Sequence, residues 1–147
     1  MFTEQQLAVL GGMIVGIFAV VVIYYIIRVI AYWKIFTKAG EKGWKSIIPF
    51  YNVIVQYQFT WTALMGVIYL ALYIVGDIIM QRDGIMGTIG SLMVIAGFVI
   101  NCMDMHKLSK SFGHGGGFTV GLILLQPIFL MILGFGSSEY QGNASEM

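Results

Sequence analysis

The sequence predicts an all-α integral membrane protein with four transmembrane helices and an interfacial amphipathic segment between the first and second. Three observations predict it. Four nearly uncharged apolar stretches fill most of the chain between Leu7 and Gly136, each close to the about 20 residues that a hydrocarbon core about 30 Å thick requires. Hydrophobic residues make up 59 % of the 147 and charged residues 10 %, against about 45–50 % and about 25 % in soluble domains. Lys and Arg gather in two of the joints. So little charge could not cover a soluble domain of this length, and the whole chain, 1–147, reads as one membrane domain.

The first span runs over about residues 7–32. It is too long for a signal-peptide core and lacks a small-residue cleavage pattern after it, so it is expected to stay as a helix. Arg28 falls in its last turns, where a long side chain reaches the headgroups. The joint TKAGEKGWKSIIPFYN follows. Within it, Trp44, Ile47, Ile48, Tyr51 and Val55 recur at roughly helical spacing and Pro49 interrupts any single helix. Residues 41–56 therefore read as one or two short amphipathic pieces in the headgroup plane. Trp44 and Tyr51 are the anchors, Lys42 and Lys45 face anionic lipid, and Asn52 lies between. A re-entrant segment lining a cavity is the alternative.

The second span is expected over residues 57–80. The joint Gln81-Arg82-Asp83-Gly84 is short enough to force an antiparallel hairpin into the third, residues 85–105. The joint HKLSKSFGHGGG leads to the fourth, residues 117–135, where Gln126-Pro127 predicts a kink. The polar tail SSEYQGNASEM is expected to fray. With four crossings, seven basic residues (Arg28, Lys34, Lys38, Lys42, Lys45, Lys107, Lys110) share one side and only Arg82 the other. That bias places the basic joints in the cytoplasm and both termini outside.

Two stretches resemble a known family. KAGEKGWKSIIPFYN is similar to a KAG-x-x-GW-x-x-x-IPFYN signature, and LSKSFGHGGGFTVGLILLQPIFLMILGFGSSEYQG to a LAK-x-FGKG-x-GF-x-x-GL run closed by ILGFG-x-x-x-Y. Both belong to a bacterial family of small polytopic membrane proteins with a domain of unknown function, some members of which carry a signal peptidase label. The second and third spans match that pattern poorly, and His114 stands where Lys is common. The resemblance implies a multi-pass protein of the bacterial inner membrane. It brings no reaction and no catalytic residue.

Ionisable groups inside spans mark function by default. Asp77 shares a face with Tyr69 and Tyr73 at intervals of four residues; together they could hold a polar ligand or relay protons, or Asp77 is simply a hydrated interfacial carboxylate. Asp104 follows Asn101 by one turn and precedes Lys107 by one, which predicts an ordinary helix-end ion pair. The alternative is a polar vestibule of Asn101, Asp104 and Asn52. His106 and His114 do not converge with Asp104 as metal ligands would, so no metal and no cofactor is expected. FGHGGGF lacks the strand and the Lys-Ser/Thr of a phosphate loop. Ser109 and Lys110 are adjacent and point apart, so no acyl-transfer enzyme is expected.

Small residues four apart, Gly12 with Gly16, Gly87 with Ser91 and Gly117 with Gly121, mark faces where helices approach closely in lipid. Such faces serve packing within the bundle or pairing with another chain. The net charge of +1 points to no nucleic acid, and the expected partners are the bilayer and either a second copy or another membrane protein. The expected function is a non-enzymatic oligomeric scaffold or accessory subunit of a membrane complex. A small homo-oligomeric channel or transporter, with Asp77, Tyr69 and Tyr73 along its path, is the alternative.

Overall fold

A computed structural model describes residues 1–147, and it is helical throughout, with no strand. Helix α1 runs Glu4–Lys38, α2 Tyr51–Thr60, α3 Ala63–Met80, α4 Ile85–Ser111, α5 Gly116–Leu124 and α6 Gln126–Phe135. Three of them, α1, α3 and α4, are long and apolar enough to cross a membrane.

Local chemistry sets each boundary. Thr3 opens α1 with a capping box, its hydroxyl accepting from the Gln6 amide while the Gln6 side chain accepts from Thr3 N–H. Past Lys38 the chain turns through Gly40 at φ +83° into a 3₁₀ turn, Gly43–Ser46. Gly43 packs against the Trp33 indole, which a Cβ there would overlap. Pro49 stops the chain again, and Phe50 takes a left-handed φ of +64° before α2 begins.

The expected second span, 57–80, is divided. Trp61 leaves helical geometry at φ −143°, ψ −102°, and the Thr62 hydroxyl caps α3 by accepting from Met65 N–H. Helix α2 then folds back along α3, with Gly66 against Ile54 and Tyr57. The segment read as interfacial is thus only partly so. Trp44, Lys42 and Tyr51 are exposed, but α2 buries Val55, Gln56, Tyr57, Phe59 and Thr60 and is a core element.

The α3–α4 hairpin is as expected, with Gly84 at φ +68° in its turn. Its contact is close: a Cβ on Gly90 would overlap the backbone of Met80.

The expected fourth span is not a continuous helix. Leu125, at φ −124° and ψ 47°, separates α5 from α6, and Pro127 sits in the first turn of α6. The rings of Phe118 and Phe129 meet at 5.0 Å, whereas eleven residues of straight helix would separate them by about 16 Å. His114 Nε2 and Ser138 Oγ, which flank the unit, are hydrogen-bonded at 2.7 Å. The segment therefore enters and returns at one end. Each arm is about 15 Å long at 1.5 Å per residue, half a hydrocarbon core.

This reversal overturns the expectation that both termini share an end. The C-terminal tail packs where the basic joints lie, with Gln141 N–H donating to Ser111 O at 2.7 Å and the Tyr140 hydroxyl to Phe59 O at 2.5 Å. The amino terminus is at the far end of α1, about 50 Å away along a helix of 35 residues. The tail is also bonded rather than frayed. Asn143 Nδ2 donates to Gln58 O and Trp61 O at 3.0 and 2.8 Å, satisfying carbonyls that the end of α2 leaves free.

The core gathers at that same end. Ile35, Phe36, Val55, Phe59, Met105, Leu108, Phe112, Leu122, Leu130 and Leu133 form one cluster drawn from α1, α2, α4, α5 and α6. Lys38 closes it by donating Nζ to Leu133 O at 2.7 Å and Gly136 O at 2.9 Å, the open carbonyls of α6. From this packed head the apolar helices project, and residues 1–28 of α1 are exposed on every face.

Candidate functional site

Two polar features meet inside the head. The first is built on Asp104, which α4 places at 0 % exposure. Gln56 Nε2 donates to its Oδ2 at 2.6 Å, and Thr60 Oγ1 lies 2.5 Å from its Oδ1. Gln56 and Thr60 are one turn apart on α2, so both face the same carboxyl. Thr60 Oγ1 also lies 2.9 Å from Gln56 O. A hydroxyl has one hydrogen, so it donates to one of these oxygens at a time. The network ties α2 to α4, and it replaces the expected pairing with Lys107. Lys107 instead lies over the Trp61 ring, 4.7 Å from its centroid. Half-buried Asn101 takes no part in the network.

The second feature is a cavity of about 390 Å³ between α1, the joint and α3, with Gln56 in its wall and Asp104 behind. Tyr25, Arg28 and Tyr32 line it from α1, Pro49, Phe50 and Asn52 from the joint, and Tyr69, Tyr73 and Ile74 from α3. The Arg28 guanidinium lies over the Tyr32 ring at 5.6 Å. Asn52 Nδ2 donates to Ser46 O at 3.2 Å and fixes the joint across the break at Pro49. Tyr69 stacks on Tyr57 at 5.6 Å and meets Tyr73 at 6.0 Å. The Tyr57 hydroxyl is buried without a partner.

The sequence-derived candidates therefore divide. Tyr69, Tyr73 and Asn52 line the cavity, whereas Asp77 is exposed on α3 and is not part of its wall. Sequence reasoning missed Gln56 and Thr60 as partners of Asp104, and it read Arg28 as reaching the headgroups without placing it in a cavity wall. The signals were present: an amide and a hydroxyl four residues apart, and a lone cation in a span.

The joint holds the chain's ion pair, Lys45 Nζ to Glu41 at 2.7 Å, and the Glu41 hydrogen bond raises the Lys45 ammonium above its ordinary range. Burial raises the Tyr140 phenol in the tail, with Glu146 and Glu41 adding to it. His106 hydrogen-bonds Thr119 at 3.0 Å while His114 stacks on Phe118, so the two histidines serve separate contacts. Ser109 Oγ donates to Gly115 O at 2.9 Å and opens the turn into α5.

Of the small-residue faces, Gly87 packs on the backbone of Arg82 in its own hairpin, and Ser91 Oγ donates back to Gly87 O. Gly121 receives the Phe129 ring. Around Gly12, Gly16 and Gly117, nothing lies within 4 Å of a Cβ position.

A model of a family of unknown function, DUF5684, matches residues 44–143. The matched stretch holds the joint from Trp44 onward, α2 to α6 and the tail as far as Asn143. Neither the curated proteins nor the solved structures gave a match.

Proposed function

The chain belongs to this family of unknown function, and we propose that it is a non-enzymatic membrane scaffold or accessory subunit. In this reading the packed head orders the helices, and α1 pairs with a second copy or with a helix of a larger membrane complex. One observation carries the reading. Helix α1 stands clear of the head over residues 4–24, with open space around Gly12 and Gly16. In lipid, small residues let backbones approach, and that contact rather than a hydrophobic drive brings helices together.

The proposed placement is the bacterial inner membrane, crossed by α1, α3 and α4, with α5 and α6 dipping in and returning. The clustering of basic residues around the head supports a cytoplasmic head and tail and an outside amino terminus. Tyr69 and Tyr73 in the cavity wall support the second reading, a small homo-oligomeric channel or transporter. Asp77, exposed away from that wall, does not add to it.

The test is the mass of the protein in nanodiscs and of whatever co-purifies with it, alongside a Gly12→Leu/Gly16→Leu variant. A discrete assembly or a stoichiometric partner, lost in the variant while the head keeps its thermal midpoint, is the expected result. A lone monomer, or an assembly indifferent to both substitutions, would contradict the scaffold. An open axis lined by Tyr69 and Tyr73 in single-particle images would favour the conduit.

A further inference from the structure

The cavity behind Arg28 has a single charge in its wall. Arg28 is the one charged residue in its wall, no carboxylate lines it, and the chain's ion pair lies elsewhere, at Lys45 and Glu41. Its guanidinium is exposed and lies over the Tyr32 ring, so it is free to pair with an anion as well. The wall carries phenols and amides, from Tyr32, Asn52 and Gln56, together with apolar surface, from Val53, Leu70 and Ile74. A planar guanidinium flanked by hydroxyl and amide donors suits the oxygens of a phosphate. An apolar wall beside it suits methylene groups. The volume, about 390 Å³, lies within the about 300–1,000 Å³ of small-molecule sites.

The wall is also strained where it closes. Phe50 holds a left-handed φ of +64° although it is not glycine, and its side chain is 60 % exposed rather than buried in a core that would repay the cost. Strain of that kind is held in place at binding sites more often than in plain connectors. Pro49 fixes the turn before it, and the Asn52–Ser46 bond braces the turn after it.

We propose that this cavity binds one anionic phospholipid, with the phosphate on Arg28 between Tyr32, Asn52 and Tyr69, and the first methylenes of an acyl chain against Leu70 and Ile74. The amphipathic lining sets this apart from a site for free phosphate, which would gain nothing from the apolar wall. It is independent of whether α1 pairs with another helix.

The test uses the full-length protein in detergent, titrated with phosphatidylglycerol, with phosphatidylcholine of the same chains, and with inorganic phosphate, and read by native mass spectrometry. One phosphatidylglycerol per chain should bind in preference to phosphatidylcholine. Arg28→Gln should weaken that lipid about tenfold, the effect of losing one charge-assisted contact. Arg28→Lys should restore part of it, and Lys110→Gln, an exposed lysine on α4 outside the cavity wall, should change nothing. Arg28→Gln must keep the thermal midpoint of the parent, as an exposed side chain should. Three results would overturn the proposal: unchanged phosphatidylglycerol binding in Arg28→Gln, an equal loss in Lys110→Gln, or displacement of the lipid by inorganic phosphate at similar concentrations.

Discussion

At the scale of single residues, Asp104 shows how far a sequence neighbour can mislead. Lys107 is one turn away, which made an ion pair the economical reading. Gln56 and Thr60 are 48 and 44 positions distant, and only the fold-back of α2 brings them in. No spacing rule reports a contact across that distance, though the amide and hydroxyl at i and i+4 were visible. Hydrogen counting in the network gives a direct test. An Asn at 104 can accept from Gln56 and donate its amide to the Thr60 hydroxyl oxygen. Asp104→Asn should therefore keep the thermal midpoint in detergent within a few degrees of the parent. Asp104→Ala should strand Gln56 Nε2 in a buried site, a loss of about 1–3 kcal/mol for one unsatisfied group. Equal damage from both substitutions would show that the charge itself holds the network.

At the scale of elements, what was legible depended on whether a boundary had a local cause. The α3–α4 hairpin was readable because four polar or turn-forming residues separate two apolar runs. The interruption at Pro49, just before α2, was readable for the same reason, whereas α1 runs on to Lys38, past the expected end at residue 32. The break at Trp61 was not, because no glycine or proline marks it. Thr62 caps α3 there, but a threonine inside an apolar run is a weak signal by itself. Pro127 did announce an interruption in the last apolar run, and a kink was the natural reading. The reversal is larger, and its cause is tertiary: Phe129 seats on Gly121, and Lys38 holds the far end by bonding Leu133 O and Gly136 O. Lys38→Met keeps the length and removes the donors. It should lower the stability of the head by about 1–2 kcal/mol, the range for charge-assisted bonds to a helix end. It should also raise hydrogen exchange at residues 133–138 while leaving the α3–α4 pair unchanged. Uniform exchange across the chain would mean that Lys38 does not hold the hairpin in place.

At the scale of the whole molecule, a hydropathy pattern sees how much apolar sequence there is, not whether it runs straight. Twenty apolar residues extended across a bilayer and two arms of about ten folded together score alike. That is why residues 117–135 read as a span, and why the count of four placed the two termini together. Once α5 and α6 fold back, the chain divides into a basic-ended head, which holds the core and the cavity, and long apolar helices projecting from it. The family match over residues 44–143 covers α2 to α6 and the tail as far as Asn143, and it leaves out all of α1, including the Ile35, Phe36 and Lys38 that α1 gives to the head. The matched stretch is thus shared with the family, and α1, outside it, carries the surface that the proposed scaffold would offer to a partner.

The placement of the tail tests this division most directly. In a Cys102→Ser background, which removes the one native cysteine, single cysteines at Phe2, Lys42, Arg82 and Ser145 are labelled with a membrane-impermeant maleimide in sealed vesicles of each orientation. The fold predicts that Ser145→Cys labels with Lys42→Cys from one face, and Phe2→Cys with Arg82→Cys from the other. Labelling of Ser145→Cys from the same face as Phe2→Cys would contradict it, returning residues 117–135 to a full span.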